Sequence, residues 1–135
     1  MAVKIPQEIQ NFIQGKQGWV ATASADGMPN IAIKGSLRLL DDEHLMFSDL
    51  FSQKTRKNLN ENPKVAVMVF DDQSKKCYLF KGTTEVFTSG PIFDQAVEMI
   101  KKMPRQLPAP YSVVKITVEA IYNQSGGPES GKQIA

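Results

Sequence analysis

The chain has 135 residues, 41% of them apolar and 22% charged, with a formal net charge of +2. That length supports one domain with a real core and is short for two; the near-balanced charge gives no argument for a nucleic-acid or anionic-membrane partner. No run approaches the roughly 18 uninterrupted apolar residues of a membrane-spanning helix, and the amphipathic start, MAVKIPQEIQNFIQ, lacks the apolar stretch of a secretory signal.

Residues 5–14 carry Ile5, Ile9, Phe12 and Ile13 at helical spacing, with Pro6 tolerable in a first turn and Gly15 placed to stop the run, which predicts a short amphipathic helix. WVATASADGMPNIAIKG, from Trp19, is two β-type runs around the turn pair Asp26-Gly27 and predicts a hairpin. SLRLL and EHLMFSD predict a second hairpin around Asp41-Asp42. Next, Ser52 reads as an N-cap whose hydroxyl accepts a first-turn N–H, and Asn62-Pro63 reads as a stop, so a helix is expected over residues 53–62.

KVAVMVFD follows, with Val65, Val67 and Val69 alternating with Ala66, Met68 and Phe70, as for a central strand covered on both faces. CYLFKGTTEVFTSG is a long strand in which Gly82 predicts a bulge or bend. Pro91 opens a helix with the stripe Ile92, Phe93, Ala96, Val97 and Ile100; PRQLPAP is a loop, and YSVVKITVEAIYN is the last strand. The expected architecture is mainly β, a small antiparallel barrel or curled sheet with short helices at its junctions. It occupies residues 1–124, followed by a polar, Gly-rich, mobile tail over residues 125–135.

Most catalytic constellations are absent. His44 is the only histidine and reads as a solvated hairpin residue; Cys77, the only cysteine, reads as a packed strand residue. One of each argues against a Cys/His zinc site, a disulfide and a Cys-His nucleophile, and fits a reducing cytoplasm. The run of Asp41, Asp42 and Glu43 fits a solvated hairpin tip, and no Walker or GxGxxG pattern occurs. We therefore expect no metal site and assign no catalytic side chain.

One conflict remains. Lys54, Arg56 and Lys57 crowd the start of the 53–62 helix, where the dipole disfavours each cation by roughly 0.3–1 kcal/mol. A phosphate held by the free N–H groups with Ser52, Lys54, Thr55, Arg56 and Lys57 resolves it; side chains splayed into water are the plainer explanation. Lys34, closing NIAIK, is a further cation on an otherwise apolar strand, either approaching the same region or snorkelling from an edge. For Trp19, Tyr78, Tyr111 and Tyr122 core packing and a ligand-lining role both stand, as do helix packing and a partner surface for Met99 and Met103.

The sequence WVATASADGMPNIAIKG, then LMFSDLFSQKTRKNLNENPKVAV, then YLFKGTTEVF, resembles the FMN-binding split-barrel family related to pyridoxamine 5′-phosphate oxidase, over about residues 15–125. The resemblance implies a six-stranded antiparallel Greek-key split barrel and a homodimer with FMN at the subunit interface. It puts Asn30, Ile31, Ala32, Ile33 and Lys34 beside the flavin, with Lys34 contacting it. Ser48 and Asp49 match the strand end beside the ribityl chain, and Lys54 and Thr55 match the phosphate-binding pair at the helix start. Where the family often has Arg-Lys this chain has Lys54-Thr55, so Arg56 or Lys57 is expected to supply the missing charge.

No counterpart of the C-terminal pyridoxine-phosphate site is expected in the Gly/Ser/Lys tail. The resemblance therefore implies a small flavin-dependent oxidoreductase, accepting electrons from a donor such as NAD(P)H, rather than a full oxidase. Three alternatives stay open: a non-catalytic FMN carrier or electron-transfer module, a split barrel holding deazaflavin or haem, and, ranked last for want of aromatic platforms, nucleic-acid contact.

Overall fold

A computed structural model describes residues 1–135. Its elements in chain order are α1 (Gln7–Ile13), β1 (Gly18–Ala23), β2 (Pro29–Lys34), β3 (Arg38–Asp41), β4 (His44–Asp49), α2 (Gln53–Glu61), β5 (Lys64–Phe70), β6 (Cys77–Phe87), α3 (Pro91–Lys101) and β7 (Ser112–Asn123). All strands join one sheet in the order β2-β1-β5-β6-β7-β4-β3, every neighbouring pair antiparallel. The mainly β split-barrel architecture is as expected. The sheet has seven strands rather than six, because β2 and β3 are separate strands on opposite edges.

That connectivity dictates the curl. Only residues 35–37 join β2 to β3, and an extended link of that length reaches about 14 Å. A flat seven-stranded sheet would set its edges roughly 29 Å apart at the usual strand spacing. The sheet therefore bends round until its edges nearly meet, and residues 34–37 lie at the seam.

Local chemistry supports each bend. Gly27 takes φ +91° in the β1–β2 turn, the left-handed region that glycine enters without a Cβ clash. In β6 the register shifts between Lys81 and Gly82, where a Cβ on Gly82 would lie 1.9 Å from the Thr117 carbonyl oxygen. Only glycine lets β6 and β7 approach so closely.

The interior packs Val20, Phe47, Val67, Phe80, Ile116 and Ile121, with Ile9 and Ile13 from α1 and Leu59 from α2 closing it. A second cluster lies outside the sheet, where Ala96 of α3 meets Met46 and Val113. β5 is an interior strand paired with β1 and β6, next to the middle strand β6, but α3 covers β4 and β7 instead, so Ala66 and Met68 are only half-buried. Residues 125–135, read from sequence as a mobile tail, fold back along β7. The Asn123 N–H donates to the Lys132 carbonyl at 2.9 Å and the Ile134 N–H to the Ile121 carbonyl at 2.7 Å, while Ala135 packs on the core. No helix is long and apolar enough to cross a membrane.

Candidate functional site

Lys34 ends β2 at the seam. Its side chain turns inward, leaving the residue 7% exposed, with Nζ 5.5 Å from the centre of the Phe47 ring. It donates no hydrogen bond to protein and has no carboxylate within 4.0 Å. Burial pushes the amine below its ordinary range, Asp49 pulls it partly back, and Arg56 adds to the fall. A desolvated cation without an anion is costly to the fold and is characteristic of a binding group.

Beside it opens a cleft of about 400 Å³, lined by Ile33, Lys34, Ser48, Ser52, Phe51 and Arg105, with Met103 and Leu107 from the loop after α3. Ser36 stiffens its floor, since its hydroxyl accepts the Ser48 N–H at 2.9 Å across the seam. Sequence reasoning missed Ser36, Phe51 and Arg105, because irregular segments carry no periodicity to follow.

At the start of α2 the expected arrangement changes. Ser52 occupies the N-cap position, but its hydroxyl makes no capping bond. Instead the Asp49 carboxylate, from the end of β4, accepts the Ser52 N–H at 3.0 Å and the Arg56 Nε–H at 2.9 Å. Asp49 is buried, and its charge at the positive end of the helix dipole offsets part of the cation crowding. The Arg56 guanidinium also lies 3.6 Å above the Tyr111 ring centre, giving that tyrosine a packing partner.

Consecutive helical residues step by about 100°, and Lys54, Thr55 and Arg56 accordingly diverge. Thr55 is buried with its Oγ1 unpartnered. Arg56 turns to Asp49. Lys54 lines a second, polar cleft of about 660 Å³ together with Asn30, Lys57 and Asn58. Asn58 holds α2 against the sheet by donating from Nδ2 to Thr22 Oγ1 at 3.0 Å, a buried bond that sequence reasoning missed.

Between the two clefts runs edge strand β2, whose Ile31 and Ile33 are 62% and 55% exposed while Asn30 and Ala32 are half-buried. Of the residues singled out from sequence, Ile33, Lys34, Ser48 and Ser52 thus share the first cleft, and Asn30 and Lys54 the second. Ile31 and Ala32 connect them along β2, and Asp49, Thr55 and Arg56 stand behind the wall. Other candidates lie elsewhere. His44 Nδ1 is 2.7 Å from Asp41 Oδ1 at the β3–β4 turn, only part-exposed rather than freely solvated. Cys77 is buried, and burial pushes its thiol up, away from reactivity. Tyr78 packs edge-on against Phe12, ring centres 5.0 Å apart.

Residues 5–125 match the sequence pattern of the family described as pyridoxamine 5′-phosphate oxidase. The chain is 36% identical over 135 residues to an uncharacterized protein of Methanocaldococcus jannaschii, covering 98% of this chain and 89% of that protein. Among solved structures it is similar to HupZ of Group A Streptococcus, at 31% identity and a TM-score of 0.84, covering 97% of this chain and 99% of HupZ. A pyridoxamine 5′-phosphate oxidase-like protein of Lactobacillus delbrueckii gives 27% identity and a TM-score of 0.73, covering 88% and 93%. At 19% identity the fold alone is shared with an FMN-binding protein of Syntrophomonas wolfei (TM-score 0.69; 90% and 84% covered), the haem storage protein HutZ of Vibrio cholerae (0.64; 92% and 98%) and an F420 reductase (0.68; 87% and 98%).

Proposed function

Because the chain belongs to the pyridoxamine 5′-phosphate oxidase family, matched over residues 5–125, we propose that it is a cytoplasmic FMN-binding flavoprotein, a small oxidoreductase whose cofactor lies at a homodimer interface. The observation that carries this reading is Lys34: a buried cation with no anion of its own, facing a cleft with apolar walls. Such a group is suited to the electron-rich pyrimidine side of a flavin, whose reduced form is anionic. FMN, when bound, supplies reversible two-electron redox chemistry.

The chain's residues bind, orient and exclude water. Lys34 favours the reduced cofactor electrostatically and so raises its potential. Ser48 and Ser52 offer hydroxyls to the ribityl chain. Lys54 and Asn30, with Lys57 beside them, offer charge and hydrogen bonds to the phosphate at the far end of β2. Arg56, spent on Asp49, supports this site from behind rather than supplying the charge that Thr55 lacks.

The homodimer reading is supported by what the β2 edge exposes. Ile31 and Ile33 are exposed along an unpaired sheet edge, and exposed Phe51 lines the same cleft as Ile33; a second copy seated there would cover them and dry the cleft. Electrons would come from a small donor such as NAD(P)H. Relatives by fold handle FMN, F420 or haem. A flavin-type ligand is favoured over haem here because the chain's one histidine is at the β3–β4 turn and neither histidine nor cysteine lines the cleft.

The absorption spectrum of the purified protein, before and after FMN addition and dialysis, tests the reading. Retained flavin bands near one per chain support it. A colourless protein that ignores FMN, or one carrying a haem Soret band, overturns it.

A further inference from the structure

Arg38 opens β3, opposite Met46 of β4, and its side chain is half-buried. Its guanidinium donates no hydrogen bond to protein and has no carboxylate within 4.0 Å, and its Nη2 is fully buried without a partner. Burial alone pushes this guanidinium below its ordinary range. A buried arginine ordinarily uses its planar fork on a carboxylate or phosphate, and none of this chain's own acidic groups serves.

Arg38 contributes to the wall of a recess of about 320 Å³ beneath α3, with Gln14, Ser36 and Ser48 as its other polar members and Met99, Ile100 and Met103 among its apolar ones. This recess adjoins the cleft beside Lys34, because Gly35, Ser36, Ser48, Ile100 and Met103 line both. A ligand held at Arg38 therefore has a continuous path towards Lys34.

We propose that Arg38 marks a carboxylate subsite: an organic monocarboxylate with a compact apolar body binds in this recess, its anionic end at the Arg38 guanidinium and its body against Met99, Ile100 and Met103. A carboxylate rather than a phosphate fits, since a phosphate dianion calls for several donors and more than one cation, and Arg38 is the only charged residue lining the recess. Binding itself is independent of the flavin; that this ligand is the oxidoreductase's substrate rests on the function proposed above.

Benzoate and its neutral isostere benzamide are the probes, titrated by calorimetry or ligand-observed NMR into the full chain, the Arg38→Met and Arg38→Lys variants, and Lys34→Met. The expected result is preference for benzoate in the parent protein, lost by about tenfold or more in Arg38→Met, as for removal of a charged hydrogen-bonding partner, and only partly kept in Arg38→Lys, which retains charge without the fork. Arg38→Met is also expected to melt no lower than the parent, because it removes a desolvated, unpaired charge. Equal binding of the two probes overturns the subsite, as does a benzoate preference that survives Arg38→Met but disappears in Lys34→Met. Parallel FMN titration by flavin fluorescence separates the two ideas. Benzoate preference without FMN binding overturns the flavin alone, and FMN binding without benzoate preference overturns the subsite alone.

Discussion

Arg56 and Asp49, seven residues apart, form an ion pair of 2.9 Å across the junction between β4 and α2. The same carboxylate takes the Ser52 N–H, so one buried side chain ends the strand, starts the helix and anchors a cation. Asp49→Ala removes all three roles. Loss of a helix-start acceptor alone costs about 1 kcal/mol, so the melting temperature should fall by roughly 4 °C or more. Asp49→Asn, which keeps one acceptor oxygen, should fall between the two. Thermal unfolding followed by circular dichroism reads both, and an unchanged Asp49→Ala midpoint would remove this carboxylate from the description of the junction.

The sequence puts Lys54 and Arg56 at one expected phosphate site. Their positions make them different experiments. Lys54 is exposed beside Asn30 and Lys57, so Lys54→Ala should leave the melting temperature within about 2 °C, as surface substitutions generally do, while weakening FMN binding about tenfold. Arg56→Ala should instead lower stability, because it strips Asp49 of its partner. Equal FMN affinity in Lys54→Ala and parent protein would take the phosphate away from α2.

Much of this was legible in the chain itself. The two hairpins, the bend at Gly82 and the helix opened by Pro91 are local statements, written in turn residues and periodicity, and they stand where expected. The seam was not legible, because it depends on β2 and β3 taking opposite edges of one sheet, a pairing that neither strand encodes alone. The site was therefore half visible. Lys34 announced itself as a cation in an apolar run, but Ser36, Arg38 and Arg105 reach the clefts only through that long-range closure. Likewise the cations of α2 suggested one cluster, which the helical step separates.

Gly82 tests the curl. A methyl group there would meet the Thr117 carbonyl at 1.9 Å, too close for side-chain adjustment to relieve, since both sides of the contact are backbone. Gly82→Ala should cost about 3 kcal/mol, seen as a lower urea midpoint, with FMN binding weakened wherever the seam opens. A midpoint equal to the parent's would mean that β6 and β7 separate there without cost.

The exposed pair Ile31 and Ile33 on β2 tests the dimer. Covering an isoleucine side chain is worth about 1.5–3 kcal/mol, so Ile31→Asp with Ile33→Asp should shift sedimentation from dimer to monomer and weaken FMN binding with it. Both residues are on the solvent side of an edge strand, and the folded core should survive, which circular dichroism verifies. A variant that still sediments as a dimer would move the interface elsewhere.

Lys34 carries a pH signature. Its folded pKa is lowered from 10.5 by burial, so between the folded value and 10.5 the unfolded chain holds more protons than the fold, and stability contributed at this residue rises with pH. Below the folded pKa both states are protonated and the full penalty of the buried charge applies. Lys34→Met removes that penalty, and the variant should exceed the parent by of order 1 kcal/mol near neutrality, an advantage that shrinks as pH climbs towards 10.5. Urea unfolding at neutral and alkaline pH measures the gap. Bound FMN should reverse the ranking, because only the parent then has an anion beside its buried cation. If the gap is the same at both pH values, Lys34 is solvated in the native state and loses its claim to the cofactor.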